Sequence, residues 1–210
     1  MKTLVVAATL NEIAGVYKHF ELPPAAFVQT PDFDILITGV GMTATAYALG
    51  KHLSADYKLV LNLGIAGCFD PTVPLGTVLN IIADEFSELG AEDKEAFLSI
   101  DQLGLGKSKF ENSLAPDFKA LSRLPWANGI TVNTVHGNLE HIRKVRERLN
   151  PVTESMEGAA VYYACEQAFI PCIQVRSISN YVEERNKAAW NIGLALKHLN
   201  DWAIEFLTNE

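Results

Sequence analysis

Short apolar runs recur along the chain, each followed by an amphipathic stretch, and this alternation limits the possible folds more than any other feature. Thr3–Ala8 (TLVVAA), Phe33–Thr38 (FDILIT), Lys58–Leu63 (KLVLNL), Thr77–Ala83 and Cys172–Ile178 (CIQVRSI) read as strands. Gly129–Val135, flanked by turn signals, reads as another. Helical spacing covers Asn11–Phe20, Thr43–Leu53, Asn138–Leu149, Gly158–Phe169 and about Asn186–Leu207. The strands are continuous apolar runs rather than alternating ones, so both sheet faces should be covered. Strands and helices at this spacing predict an α/β domain of three layers. Asp84–Asn128 is less regular and reads as an excursion from the sheet.

With 210 residues the chain can build one sizeable core and is short for two. No linker or internal repeat divides it, which predicts a single domain over 1–210. The net charge of −8 argues against a partner such as duplex DNA or an anionic membrane. Cys68, Cys165 and Cys172 are too few and too scattered for a disulfide scaffold, and no CxxC spacing suggests zinc. They fit a reducing cytoplasm. The opening apolar run reaches Asn11 and Glu12 too soon for a signal peptide. No stretch approaches the roughly 18 apolar residues of a membrane span. None of the five histidines forms a ligand or triad pattern, so no metal or cofactor is expected.

Open α/β sheets bind ligands beyond the carboxyl ends of their strands. The segments there are Ala8–Glu12, Gly39–Thr43, Gly64–Gly67 and Ser177–Arg185; a fifth, Glu154–Gly158, opens a helix. Gly39–Ala44 fits GxGxx(G/A), a weak dinucleotide fingerprint. The following strand ends in Asn62-Leu63-Gly64-Ile65-Ala66-Gly67 without the acid that would hold a ribose, which disfavours a nicotinamide cofactor. Two neighbouring strands ending in Gly-rich turns leave room for a ligand against the backbone, near Gly41, Ala66 and Gly67. Taken singly, the polar candidates have structural explanations. Thr9-Leu10-Asn11-Glu12 matches a capping box. Glu157 suits a helix N-terminus. Ser179 and Asn180 are common turn formers. Arg185, beside Glu183 and Glu184, reads as part of a solvated charge cluster.

Together, three segments resemble a known family. A Glu follows the first strand (ATLNE), Met156-Glu157 opens a late helix, and the next strand ends in Arg176-Ser177-Ile178-Ser179-Asn180. This order resembles the nucleoside phosphorylase and nucleosidase superfamily, including its methylthioadenosine/S-adenosylhomocysteine nucleosidases. Within it, Ser179–Asn186, Trp190 and Ser155–Gly158 are most similar to the futalosine hydrolase branch of the alternative menaquinone pathway. The resemblance implies a central mixed sheet flanked by helices, a small nucleoside as substrate, and a homo-oligomer, dimer or higher. It implies Glu12 as the acid that activates water and Met156 and Glu157 as the hold on the ribose. Asn180 stands where the nucleosidases keep an Asp against the purine, and Arg176 would steady the water or Glu12. Ser179, Gly41, Ala66, Gly67 and Val135 would line the substrate, and Arg185 would meet a 5′ carboxylate.

Two departures stand out. Ile65 occupies a loop where the methylthioadenosine enzymes usually carry a Ser. The stacking aromatic of that branch has no counterpart in Asn133-Thr134-Val135-His136-Gly137. The nucleophile follows from charge. The superfamily's phosphorylases anchor phosphate with arginines, yet no Arg or Lys lies between Lys58 and Lys94, and the first arginine is Arg123. A dianion is poorly held without cationic partners, which favours water. The alternatives are a methylthioadenosine/S-adenosylhomocysteine-type or other purine nucleosidase or phosphorylase, and a nucleoside-binding module without catalysis.

Overall fold

A computed structural model describes residues 2–112 and 118–209. In chain order its strands are β1 (Thr3–Ala7), β2 (Phe27–Gln29), β3 (Phe33–Ile37), β4 (Leu59–Cys68), β5 (Val78–Phe86), β6 (Gly90–Asp93), β7 (Ala96–Ser99), β8 (Lys109–Glu111), β9 (Trp126–Thr131), β10 (Thr153–Ser155) and β11 (Cys172–Tyr181). The helices are α1 (Ala14–His19), α2 (Met42–His52), α3 (Lys119–Ser122), α4 (Leu139–Leu149), α5 (Gly158–Ala168) and α6 (Ile192–Asn209).

The sheet is mixed, in the order β10-β9-β5-β11-β4-β1-β3-β2, with β8 paired to β5. It also closes on itself: the far end of β4 pairs antiparallel with β10, Cys68 against Thr153 and Gly67 against Glu154. Strands β4, β11, β5, β9 and β10 therefore form a ring, while β1, β3 and β2 continue as an open wing.

The apolar runs bury alternate residues on opposite faces, as strand geometry requires. Val5, Leu59, Leu61, Ile173 and Val175 pack with Val16 of α1 and Leu199, Trp202 and Phe206 of α6. Leu4, Val6, Val60 and Cys172 face Leu49 of α2 and Val161, Tyr162 and Cys165 of α5. The three layers read from the sequence are therefore present, and all three cysteines are buried and free.

The differences lie near the strand ends. Gly64–Gly67, expected as a turn, is strand: β4 keeps its pairing with β11 as far as Cys68. The turn at Gly39 and Gly41 is real, at φ +85° and +94°. The predicted first helix is split into a 3-10 turn (Leu10–Ile13) and α1. Glu154 does not open a helix but lies in β10, and β9 begins and ends earlier than Gly129–Val135, leaving Val135 in a loop. β11 runs on through Asn180, with a bulge between Ile178 and Asn180. The last helix starts at Ile192 rather than near Asn186. Asn191 stops it there: its backbone N–H is taken by Ser179 O at 2.8 Å, while its side chain caps Leu194 N at 3.2 Å. Within Asp84–Asn128, β6 and β7 form a separate hairpin, but β8 returns to the main sheet. Residues 113–117 of that stretch lie outside the described residues.

Candidate active site

The ends of β1, β4, β10 and β11 surround a cavity of about 290 Å³. Its lining includes Glu12, Ala66, Gly67, Val135, Met156, Glu157, Ser179, Asn180 and Arg185. Segments distant in sequence thus meet in one place. Two of the expected residues stand behind the wall rather than on it. Gly41 donates its backbone N–H to Glu157 Oε1 at 2.9 Å. Arg176 lies beneath, only 1% exposed, with Nη1 4.0 Å from Glu157 Oε2.

Glu12 forms its capping box and lines the cavity at once. The capping box forms: Thr9 N and Oγ1 donate to Glu12 Oε2 at 2.9 and 3.1 Å, and Glu12 N donates to Thr9 Oγ1 at 3.4 Å. The other oxygen, Oε1, accepts from Ile65 N at 3.3 Å. The box therefore holds the carboxylate at the cavity instead of competing with that placement. Asn200 of α6 fixes the same turn, donating to Glu12 O at 2.8 Å and accepting from Val16 N at 3.0 Å. Burial raises the Glu12 carboxyl above its ordinary range; Arg176 opposes this and Glu157 adds to it.

Gly64 shows how closely these charges pack. A Cβ there would lie 1.9 Å from Arg176 Nη1 and 2.9 Å from Glu12 Oε1. The glycine keeps a continuous strand while leaving the guanidinium its place. Arg176 Nε and Nη2 have no hydrogen-bond partner among the described residues. A buried cation with spare donors beside two carboxylates suits a site that orders a small polar molecule.

Asn180 is oriented on both sides. Its Oδ1 accepts from Ser179 Oγ at 2.8 Å, and its Nδ2 donates to Tyr181 O at 3.0 Å. Ser179 Oγ also donates to Ala66 O at 3.2 Å. One amide hydrogen and one oxygen lone pair of Asn180 remain for a ligand. Arg185 is exposed at the rim, its guanidinium carbon 5.5 Å from the centre of the Trp190 ring. The charge cluster is solvated as expected, and Arg185 within it also lies over an aromatic face.

Sequence reasoning missed His136 and gave Glu154 only as the start of a helix-opening segment. Both line the cavity: His136 N donates to Glu154 Oε1 at 2.9 Å, and the ring Nδ1 meets Glu154 Oε2. The histidine does have a carboxylate partner, in the segment that lacks the family's aromatic. They are 18 residues apart, and the link arises only because β10 brings Glu154 beside the loop after β9. No local motif announces it. Asn200 was hidden likewise, inside a helix.

No family model matches the chain. It is 34% identical to the futalosine hydrolase of Streptomyces coelicolor, over 96% of this chain and 93% of that protein. It is 33% identical to the futalosine hydrolase of Acidothermus cellulolyticus, over 81% and 73%. Among solved structures, the 5′-methylthioadenosine/S-adenosylhomocysteine nucleosidase of Colwellia psychrerythraea, in complex with adenine, superposes with a TM-score of 0.81. That match covers 99% of this chain and 95% of the other, at 20% identity, and shows a shared fold. With relatives this similar along nearly its whole length, the chain belongs to the futalosine hydrolase family.

Proposed function

We propose that the protein hydrolyses the N-ribosidic bond of futalosine, releasing hypoxanthine and dehypoxanthine futalosine in menaquinone biosynthesis. Beyond family membership, the observation that carries this reading is the meeting of Glu12 and Glu157 at one cavity above the buried Arg176. Water adds its oxygen to C1′, its proton passes to Glu12, and the C1′–N9 electron pair leaves with the purine. The purine takes a proton at N7 from solvent, and Glu12 returns the proton it accepted to solvent, which closes the balance. General-base help of this kind contributes ~10²–10⁴ in rate. Glu157 accepts from the ribose hydroxyls and sets negative charge beside the oxocarbenium-like sugar. The raised carboxyl of Glu12 makes it a better proton acceptor than an exposed glutamate.

Arg176 serves this chemistry without inviting phosphate. Its charge lies beside two carboxylates, which would repel a dianion placed among them. Asn180 reads the base: its free amide hydrogen donates to purine O6, and its oxygen accepts from N7–H. Met156, Ala66, Gly67 and Val135 supply wall. Arg185 and Trp190 at the rim match the carboxyphenyl-oxopropyl group that futalosine carries at its 5′ end. The enzyme works as a cytoplasmic homo-oligomer on this small molecule.

The test is base release from futalosine, inosine and methylthioadenosine, with and without phosphate. Hypoxanthine from futalosine at equal rates in both buffers is expected, with a free reducing sugar as the other product. A ribose 1-phosphate derivative, or faster adenine release from methylthioadenosine, would overturn the reading.

A further inference from the structure

Behind the cavity lies a buried polar chain that the chemistry above does not use. Asp84, 1% exposed, lies at its centre. Asp84 Oδ1 accepts from Thr131 Oγ1 at 2.8 Å, and Oδ2 accepts from Gln174 Nε2 at 2.7 Å. Gln174 Oε1 in turn accepts from Asn62 Nδ2 at 2.8 Å. Thr131 Oγ1 accepts from Ala159 N at 2.7 Å. Ala159 lies in the first turn of α5, two residues after Glu157. The carboxylate also fills the space that a side chain at Gly158 would take: a Cβ there would lie 2.1 Å from Asp84 Oδ2.

We infer that Asp84 is a positioning residue for Glu157, acting through Thr131 and Gly158 on the first turn of α5. The reasoning is one of hydrogen-bond polarity. A hydroxyl has one hydrogen to give. An ionised carboxylate can only accept, so it commits the Thr131 hydrogen and leaves the oxygen lone pairs for Ala159 N–H. The same carboxylate commits the Gln174 amide, and through it Asn62. The start of α5 then has one place to sit, packed against Asp84 with no Cβ between. Glu157 immediately precedes that turn, and from there its oxygens meet Gly41 N and approach Arg176. An isosteric amide at position 84 cannot accept from both neighbours. If its oxygen faces Thr131, its NH₂ meets the Gln174 NH₂, and if turned it presents a donor to Thr131.

This inference rests on Glu157 holding the ribose. Its test uses Asp84→Asn and Thr131→Val, each alone and combined with Glu157→Gln, with futalosine as substrate. Hydrogen exchange of the 156–161 segment is measured in parallel. Asp84→Asn should lower kcat at least 10-fold in the wild-type background and less than 2-fold in the Glu157→Gln background. Exchange at the start of α5 should rise at least 10-fold, with α4 unchanged. Thr131→Val should reproduce both effects, and Thr131→Ser should restore them. Thr131→Val carries the test alone if Asp84→Asn does not fold. Equal losses in both backgrounds, or unchanged exchange at the start of α5, overturns the inference. If wild-type protein releases no base, the substrate reading fails and the exchange result decides this inference by itself.

Discussion

Adding one methyl group at Gly64 should disable the site while leaving the fold in place. The new Cβ would lie 1.9 Å from Arg176 Nη1, where non-bonded contact requires about 3.5 Å. The strand cannot move aside, because Gly64 is paired to Arg176 itself across β4 and β11. The guanidinium must therefore retreat by roughly 1.5 Å, away from Glu12 and Glu157. Overpacking of this kind costs about 1–3 kcal/mol, which in a chain of this size lowers Tm by roughly 2–12 °C. Displacing a positioned group by an ångström costs about 100-fold in rate. Gly64→Ala should thus fold, melt a few degrees early, and lose about two orders of magnitude in kcat/KM for futalosine. Gly50→Ala is the control: it lies in α2 with nothing within 4 Å of its Cβ. It should gain about 0.5–1 kcal/mol of stability and keep full activity. A Gly64→Ala enzyme with more than half the wild-type kcat/KM would show that Arg176 has slack, and the account of its packing would be wrong.

Other perturbations separate the roles. Glu12→Gln should cut turnover at least ~100-fold. It should also lower Tm, because Glu12 accepts from both Thr9 N and Ile65 N and an amide offers one acceptor; retention of a third of the turnover would leave only the cap. Because the Glu12 carboxyl is raised and its protonated form cannot take a proton from water, kcat/KM should fall as pH drops through a value above 4.5. A rate constant that stays level down to pH 4.5 would contradict this. Asn180→Asp should lose or reverse a preference for futalosine over its 6-amino analogue. It should also be less stable by about 1–3 kcal/mol, since a carboxylate would face Tyr181 O in place of a donor; equal wild-type rates on the two substrates would sink the recognition argument. Arg185→Ala should raise KM for futalosine and leave KM for inosine unchanged, and a matched change in both would remove the 5′ role.

The layers were legible because apolar period and length are local properties: TLVVAA and KLVLNL can hardly be anything but buried strands. Errors came where a residue's meaning depends on what packs against it. Gly64–Gly67 looked like a turn because glycine usually signals one. Here Arg176, Asn180 and Val182 occupy the space beside its two glycines, and the strand continues. Glu154 looked like part of a helix start because Gly158 follows so soon, while its pairing with Gly67 is invisible in sequence. Glu12, Met156, Glu157 and Asn180, named from resemblance in three segments, do line one cavity, and Arg176 lies beneath it at a depth the sequence does not show. His136, Asn200 and Asp84 were missed because their partners lie 18, 188 and 90 residues away.

The closure of the sheet into a ring divides the cavity into halves with different freedom. Gly67, Glu154 and Asn180 belong to strands hydrogen-bonded to one another across that ring, so no edge there can peel away to admit a ligand. Val135, Arg185 and Trp190 sit on connecting segments outside the paired strands, as does His136, which Glu154 of β10 holds by its backbone and ring. Traffic in and out should therefore pass on the loop side, while the side that carries Asn180 and Gly67 is held by the paired strands. Substitutions at Val135 and in 183–190 should then change which group is accepted at the far end of the nucleoside, and how quickly product departs, while the paired strands that carry Asn180 stay in place.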